Sequence, residues 1–327
     1  MSVPNAIEVV DLVVGVDELS AVRGVSFAVP ARGRMGLVGE SGSGKSMTAM
    51  ALMGLLPPGW QARGRVLHDG VDLLTLSDKA LSSRRGRTIS MVFQDPMSSL
   101  NPVRRVGDQI ADVIHRHMGV TRRAAHAQAI DLMTQMNLPR PEQLARAFPH
   151  QISGGQKQRI MIAMALACYP QLIIADEPTT ALDVTVQKQV LRLLNAATRE
   201  RNSALLMITH DLPVIAAMCD TVAVMYAGRI VEHGPVQKVF RTPRHHYTRG
   251  LLDSQPTMDN IALDGSSRLH SIPGMVPPLH ALPSGCAFHP RCPAATDRCR
   301  TSMPEIDATG AACWHPVPVA APAEAAS

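Results

Sequence analysis

Eight residues, Gly39-Glu40-Ser41-Gly42-Ser43-Gly44-Lys45-Ser46, follow the apolar run RMGLV and lead into the helix-like stretch MTAMALMGLL. Glycines at this spacing let the backbone wrap an anion with its N–H groups, and a helix start behind them adds a favourable dipole. Lys45 supplies a point charge for β- and γ-phosphates, and the Ser46 hydroxyl is a ligand for Mg²⁺. The pattern G-x-x-x-x-G-K-S between a strand and a helix predicts a loop that wraps phosphates. A merely flexible glycine loop is the weaker reading.

Further chemical groups end apolar runs farther along. LIIADE at 172–177 closes on two carboxylates. A buried strand that delivers Asp176 to its C-terminal edge suits a Mg²⁺ partner held through the metal's water shell. Glu177 points the other way and could polarise an attacking water. Alone, the pair could equally be a helix cap or a turn; beside a phosphate loop the catalytic reading prevails. Gln94 follows ISMVF and His210 follows ALLMIT, both at the edge where parallel sheets carry ligands. Gln94 could touch Mg²⁺ or the water, and His210 could hydrogen-bond the γ-phosphate, although a lone strand-end histidine is more often structural. In HQISGGQKQR at 150–159, Ser153, Gly154, Gly155 and Gln156 form a second anion-binding helix start.

The elements that must position these groups read as an α/β chain. Short β-type runs alternate with turns over 6–38. The helix after the phosphate loop is expected over 45–56, stopped by Pro57-Pro58-Gly59. Strands follow near 65–68 and 89–93, then a mostly helical block, about 95–165, with helical spacing of apolar residues over 106–118 and 124–136. Strands at 172–176, 204–210 and 221–226 alternate with helices, the first of them starting after Asp183. That alternation predicts a mainly parallel sheet with helices packed on it. Proline and polar residues rise from about 241. The expected organisation is therefore an ATPase domain over 1–240, with the helical block as an insertion, and a C-terminal extension over 241–327. With no internal repeat, there is one such unit.

Composition narrows the function classes. The 327 residues, 46% hydrophobic and 18% charged, suit a globular chain with a substantial core. No apolar run reaches the ~18 residues that cross a bilayer, and no charged-then-apolar leader opens the chain, so a soluble, cytosolic protein is expected. The net charge of +5 could suggest nucleic acid, but the arginines are scattered and aromatic residues are only 3%, so no nucleic-acid partner is expected.

The ordered set of phosphate loop, glutamine after a strand, SGGQ helix start, DE strand end, Ala181-Leu182-Asp183 turn and strand-end histidine resembles the nucleotide-binding domain of ABC transporters over about 6–240. The resemblance implies a P-loop NTPase fold with a mainly parallel core sheet, an antiparallel β subdomain and an inserted helical subdomain. It implies ATP on residues 39–46, Mg²⁺ on Ser46, Gln94 and Asp176, water activation by Glu177 and γ-phosphate sensing by His210. Two such domains pair head to tail in the family. By that likeness Ser153, Gly154, Gly155 and Gln156 bind the γ-phosphate held by the partner's phosphate loop, and Asp183 belongs to the D-loop.

The segments FQDPMSSLNP at 93–102, FPHQISGGQKQR at 148–159 and IAMALACYPQLIIADEPTTALDVTVQ at 162–187 look like the oligopeptide/dipeptide importer ATPases, closest to their D type. The implied partners are an F-type ATPase in a heterodimer, two membrane permeases and an extracytoplasmic peptide-binding protein. The implied location is the cytoplasmic face of the membrane. The same ATPase role for nickel, glutathione or another small solute stays open, as does, more remotely, a soluble ABC ATPase acting on nucleic acid or ribosomes.

Four of six cysteines, Cys286, Cys292, Cys299 and Cys313, crowd into the extension, which looks like the C-terminal extension of those importer ATPases. Four thiolates suit a 4Fe–4S cluster or tetrahedral zinc, with His289 and His315 as substitute ligands; a site without metal stays open. Disulfides are disfavoured in a reducing cytosol. One position departs from the family. Many ABC ATPases stack an aromatic residue on adenine about two dozen positions before the phosphate loop, where this chain has Val16.

Overall fold

The computed structural model describes residues 4–95, 99–180, 182–255 and 271–318. Ala181 of the expected turn, Pro96, Met97 and Ser98 of the segment after Gln94, and parts of the extension lie outside the described residues.

Two sheets organise the chain. Strands β1 (Asn5–Val16), β2 (Leu19–Pro30), β4 (Gln61–His68) and β5 (Val71–Asp72) form an antiparallel sheet in the order β2-β1-β4-β5. Strands β3 (Arg34–Val38), β6 (Ile89–Val92), β7 (Leu172–Asp176), β8 (Ala204–Thr209), β9 (Thr221–Tyr226) and β10 (Arg229–Pro235) form the second, in the order β10-β9-β3-β8-β7-β6. All its pairings are parallel except β9 with β10.

The continuous apolar runs explain the second sheet. Every residue of β3, β7 and β8 is buried, as strands covered on both faces require. The two-residue period divides them between two cores. Ile173, Ala175, Leu205 and Met207 face one core, shared with helices Val106–Met118, Arg122–Gln135 and Gly154–Leu166. Leu172, Ile174, Leu206 and Ile208 face the other, shared with Val9, Leu12 and Val25 of the antiparallel sheet. Each fully buried side chain of this size contributes about 1.5–3 kcal/mol.

The register aligns the strand ends. Val38 pairs with Thr209, Asp176 with Ile208 and Val92 with Ala175. Gly39, His210, Glu177 and Gln94 therefore emerge together at one edge of the sheet. Several boundaries depart from expectation for local reasons. The helix after the phosphate loop spans Lys45–Met53 and ends earlier than expected because Gly54 adopts a left-handed cap (φ 61°). Over 6–30 the short runs expected are two twelve-residue strands of one hairpin.

The extension folds back onto the sheet. His233 N–H donates to Gly310 O at 2.8 Å and Ala312 N–H to Val231 O at 2.8 Å, so the tail covers the outer edge of β10. Buried Glu232 accepts the backbone N–H groups of Arg244 (2.7 Å) and His245 (2.9 Å).

Candidate active site at the ends of β3, β6, β7 and β8

The loop after β3 contains two glycines, Gly39 and Gly44, at which a Cβ would collide with backbone. Gly44, with φ 103°, caps the helix Lys45–Met53, and a Cβ there would lie 2.4 Å from the backbone oxygen of Ala21. Lys45 is buried, and its ammonium donates to the carbonyls of Gly39 (2.8 Å) and Glu40 (2.9 Å). Burial lowers its pKa, against the raising charges of Glu177, Asp176 and Glu40. An anion drawn to this helix start meets a pre-formed cradle of positive charge.

Asp176 ends β7 4% exposed, and its Oδ1 is buried with no hydrogen-bond partner. Burial raises its pKa, opposed by a hydrogen bond from Ser46. An orphaned carboxylate oxygen beside a serine hydroxyl offers hard oxygen donors that fit Mg²⁺, and Gln94 lines the same cavity as that serine.

Glu177 adopts φ 43°, a left-handed conformation uncommon for a glutamate, which turns its carboxylate away from β7. One oxygen lies 3.1 Å from His210 Nδ1; the other accepts the Thr180 hydroxyl at 2.9 Å and the Gln94 amide at 3.4 Å. Burial pushes the Glu177 carboxyl up, but hydrogen bonds from His210 and Thr180, with the charges of His210 and Lys45, outweigh it and hold the group below its usual range. The carboxylate is thus ionised, oriented and able to accept a proton.

Ser41, Gly42, Gly44, Lys45 and Ser46 share a cavity of about 390 Å³ with Gln94 and Glu177. Two features of it were not legible in the sequence. Trp60, just before β4, lines the cavity, and so do Val276, Pro277, Pro278 and Leu279 of the extension. Val16 instead lines a separate cavity with Asp17, Gly59 and Arg63. That tryptophan is one of only two in the chain was the sole available signal.

Ser153, Gly154, Gly155 and Gln156 do not line the cavity that holds Lys45. Ser153 caps the helix Gly154–Leu166 in a reciprocal box. Its hydroxyl accepts Gln156 N–H at 3.3 Å, and the Gln156 side chain accepts Ser153 N–H at 2.9 Å. Ser153 and Gly154 are exposed, so the helix start faces outward. Asp183 caps the helix Val184–Glu200 by accepting the N–H groups of Thr185 and Val186, both at 3.0 Å.

Cys286, Cys292, Cys299 and Cys313 are free thiols lining one pocket with His245, His289 and His315. Burial pushes the Cys286 and Cys292 thiols up, and that of Cys313 to about 11. Among the described residues no three His, Cys, Asp or Glu side chains are gathered as metal ligands. The four soft donors suit a metal chemically, but they do not form a ready-made cage, contrary to the expectation of one.

Comparison with known proteins places the chain among relatives. A family model described as ABC transporter matches residues 22–180, and one described as oligopeptide/dipeptide transporter, C-terminal region, matches 231–299. The chain is 46% identical over 303 residues to the oligopeptide transport ATP-binding protein OppD of Salmonella typhimurium, covering 92% of this chain and 89% of that one. It is 47% identical over 308 residues to the probable D,D-dipeptide transport ATP-binding protein DdpD of Escherichia coli, covering 91% and 92%. Among solved structures, the dimeric ATP-binding cassette MJ0796 in a post-hydrolysis state bound to ADP and Pi is similar, with a TM-score of 0.63 and 26% identity. That match covers 70% of this chain and 98% of that one.

Proposed function

The chain belongs to the ABC transporter ATP-binding family, and on that premise we propose that it is the ATP-hydrolysing subunit of an importer of oligopeptides or dipeptides. The observation that carries the catalytic part is the Glu177 carboxylate, held by His210 and Thr180 in the cavity that also contains Lys45 and Ser46. Relatives named as oligopeptide and D,D-dipeptide transport ATP-binding proteins, matched over nine-tenths of this chain, support the cargo.

In this reading the N–H groups of residues 39–46 and the Lys45 ammonium hold the phosphates of ATP. Ser46, Gln94 and Asp176 would hold Mg²⁺, which when bound would supply positive charge against the phosphates. Glu177 takes a proton from the attacking water, His210 orients Glu177 and contacts the γ-phosphate, and Gln94 positions the water. Trp60, with the 276–279 segment opposite, takes the base in place of an aromatic residue at Val16.

The outward-facing start at Ser153, Gly154, Gly155 and Gln156 completes the ATP site of a second ATPase subunit, with Asp183 beside it. That subunit is an F-type sister. A helix start aimed at a terminal phosphate binds while the phosphate remains and releases once it is hydrolysed, giving a closure cycle. Two permeases carry the motion into the membrane, and an extracytoplasmic binding protein delivers peptide. The chain works at the cytoplasmic face, bound through the permeases; none of its described helices is long and apolar enough to cross a membrane. Residues 1–240 act as the ATPase domain and 241–327 as the extension, whose four cysteines, lining one pocket, are the candidate ligands for a 4Fe–4S cluster or zinc.

The reading is tested by purifying the chain with its membrane partners, placing the assembly in vesicles, and measuring ATP hydrolysis and peptide uptake together. Peptide-dependent hydrolysis and ATP-dependent uptake are expected. Hydrolysis stimulated by DNA or ribosomes and indifferent to peptide would overturn it. Iron, sulfide and zinc analysis of the same sample decides the metal.

A further inference from the structure

A second cavity, of about 350 Å³, lies between the two sheets' edge strands and the extension and shares no lining residue with the cavity of the phosphate loop. Arg23 of β2 and Arg229 of β10 line it, with Asp11 of β1 and Glu305 of the extension. Tyr226, Phe288, Met303 and Ile306 supply apolar wall.

Arg23 is fixed in place. Its backbone N–H donates to Gly228 O at 2.7 Å and its Nε to Ala227 O at 2.9 Å, tying β2 to the turn between β9 and β10. Its Nη2 and the Nε of Arg229 are nevertheless buried without a hydrogen-bond partner. The two guanidiniums are also close enough to repel: after burial, the charge of Arg229 is what lowers the pKa of Arg23. The two guanidiniums share the cavity wall, and like charges left unneutralised carry a free-energy cost that an anion in the cavity would lower.

The rest of the wall selects among anions. Asp11 sits at a bulge where the β1–β2 register shifts between Val9 and Leu12, with φ 48°, and its carboxylate accepts the Ser26 hydroxyl at 3.1 Å. Bulges re-aim side chains in this way. With Glu305 it makes the cavity unfavourable for a dianion such as phosphate and favourable for an attached ammonium. A small inorganic ion would also leave the apolar wall uncovered. The volume lies in the ordinary range for small-molecule sites, roughly 300–1,000 Å³.

We infer that this cavity binds a zwitterionic ligand of amino-acid to short-peptide size, its carboxylate on Arg23 and Arg229 and its ammonium facing Asp11 and Glu305. Guanidiniums bind carboxylates through paired N–H donors, and this pair is already held at the joint between sheet and extension. The site is separate from the ATP cavity, and Tyr226 and Phe288 of its wall also flank Arg291 of the extension.

The test is calorimetric titration of trialanine into the full chain, which does not depend on ATP turnover. Trialanine is expected to bind, and its C-terminal amide to lose binding. Arg229→Glu should weaken it at least about tenfold, the loss expected for a charge-assisted hydrogen bond, while ATP binding by the same variant persists. N-acetylation should weaken it less than amidation does. If Arg229→Glu fails to fold by circular dichroism, Ile306→Trp, at an exposed position of the wall, adds bulk to the cavity and should block binding instead. No trialanine binding at millimolar concentration, or binding indifferent to both substitutions, overturns the inference. So does inorganic phosphate binding as tightly as trialanine through Arg229, which would mark a simple anion site.

Discussion

Arg291 of the extension grips Glu40 of the phosphate loop with two parallel bonds, Nη1 to Oε2 at 2.7 Å and Nη2 to Oε1 at 3.0 Å, across 251 residues of chain. The guanidinium also donates through Nε to Pro273 O at 2.7 Å and lies against the rings of Tyr226 and Phe288. Burial opposes its charge, but Glu40 and Tyr226 outweigh burial and raise its pKa. Glu40 is held from a second side, its N–H donating to the Tyr247 hydroxyl at 2.8 Å. The extension thus braces the loop whose carbonyls hold Lys45.

Arg291→Ala removes that brace. Losing one partner of a charged hydrogen bond costs about 1.5–3 kcal/mol, toward the low end here because Glu40 is 31% exposed. A lower melting temperature and a several-fold higher KM for ATP are expected, with kcat changed less. Arg291→Lys should restore only part, because an ammonium cannot make the parallel pair. Steady-state kinetics and thermal melts check both.

Glu177→Gln should cut kcat by at least about 10²-fold, the lower bound for losing a general base, with ATP affinity retained in a nucleotide-binding assay. The pH dependence has a defined sign. The folded pKa of Glu177 lies below its ordinary 4.5, so the stabilisation from its ionised form is in force above that value and is lost as pH falls through the folded pKa. His210→Ala removes a hydrogen bond that lowers this pKa. The acid limb of the kcat profile should therefore move upward in that variant.

Trp60→Ala should raise the dissociation constant for ATP about tenfold, within the range for losing one stacked base, and Trp60→Phe should recover most of it. Binding of inorganic triphosphate should be unchanged, since it has no base. Equal loss for both ligands would show that the ring only supports the loop. Competition titrations with a labelled nucleotide separate the outcomes.

Gly44→Ala should abolish nucleotide binding and lower the melting temperature. A left-handed conformation costs a residue with a side chain about 1–3 kcal/mol, and the added Cβ would meet the Ala21 oxygen at 2.4 Å. Gly24→Ala, where φ is 75° but nothing lies within 4 Å, isolates the conformational cost from the clash. It should reduce stability while leaving nucleotide binding intact.

The helix Val106–Met118 and the strands Leu172–Asp176 and Thr221–Tyr226 have the bounds their sequence patterns predict. A period of 3.6 or a run of buried apolar residues is written in neighbouring positions. The phosphate loop and the caps at Ser153 and Asp183 were legible for the same reason: each is made by residues within a few positions of one another. Strand β10 was missed because its polar-ended sequence carries no comparable pattern, and its edge is paired with the distant 310–312 segment.

The sequence by itself therefore determined the local structure: which loop is glycine-rich between a strand and a helix, which strand ends in two acids, which residues start helices. Tertiary structure alone decided that Arg291 braces Glu40, that Trp60 and not Val16 lines the cavity of Lys45, and that Arg23 meets Arg229. Those partners depend on strand order and on where the extension docks. Both are fixed by burial summed over two whole cores, a quantity that no spacing between nearby residues records.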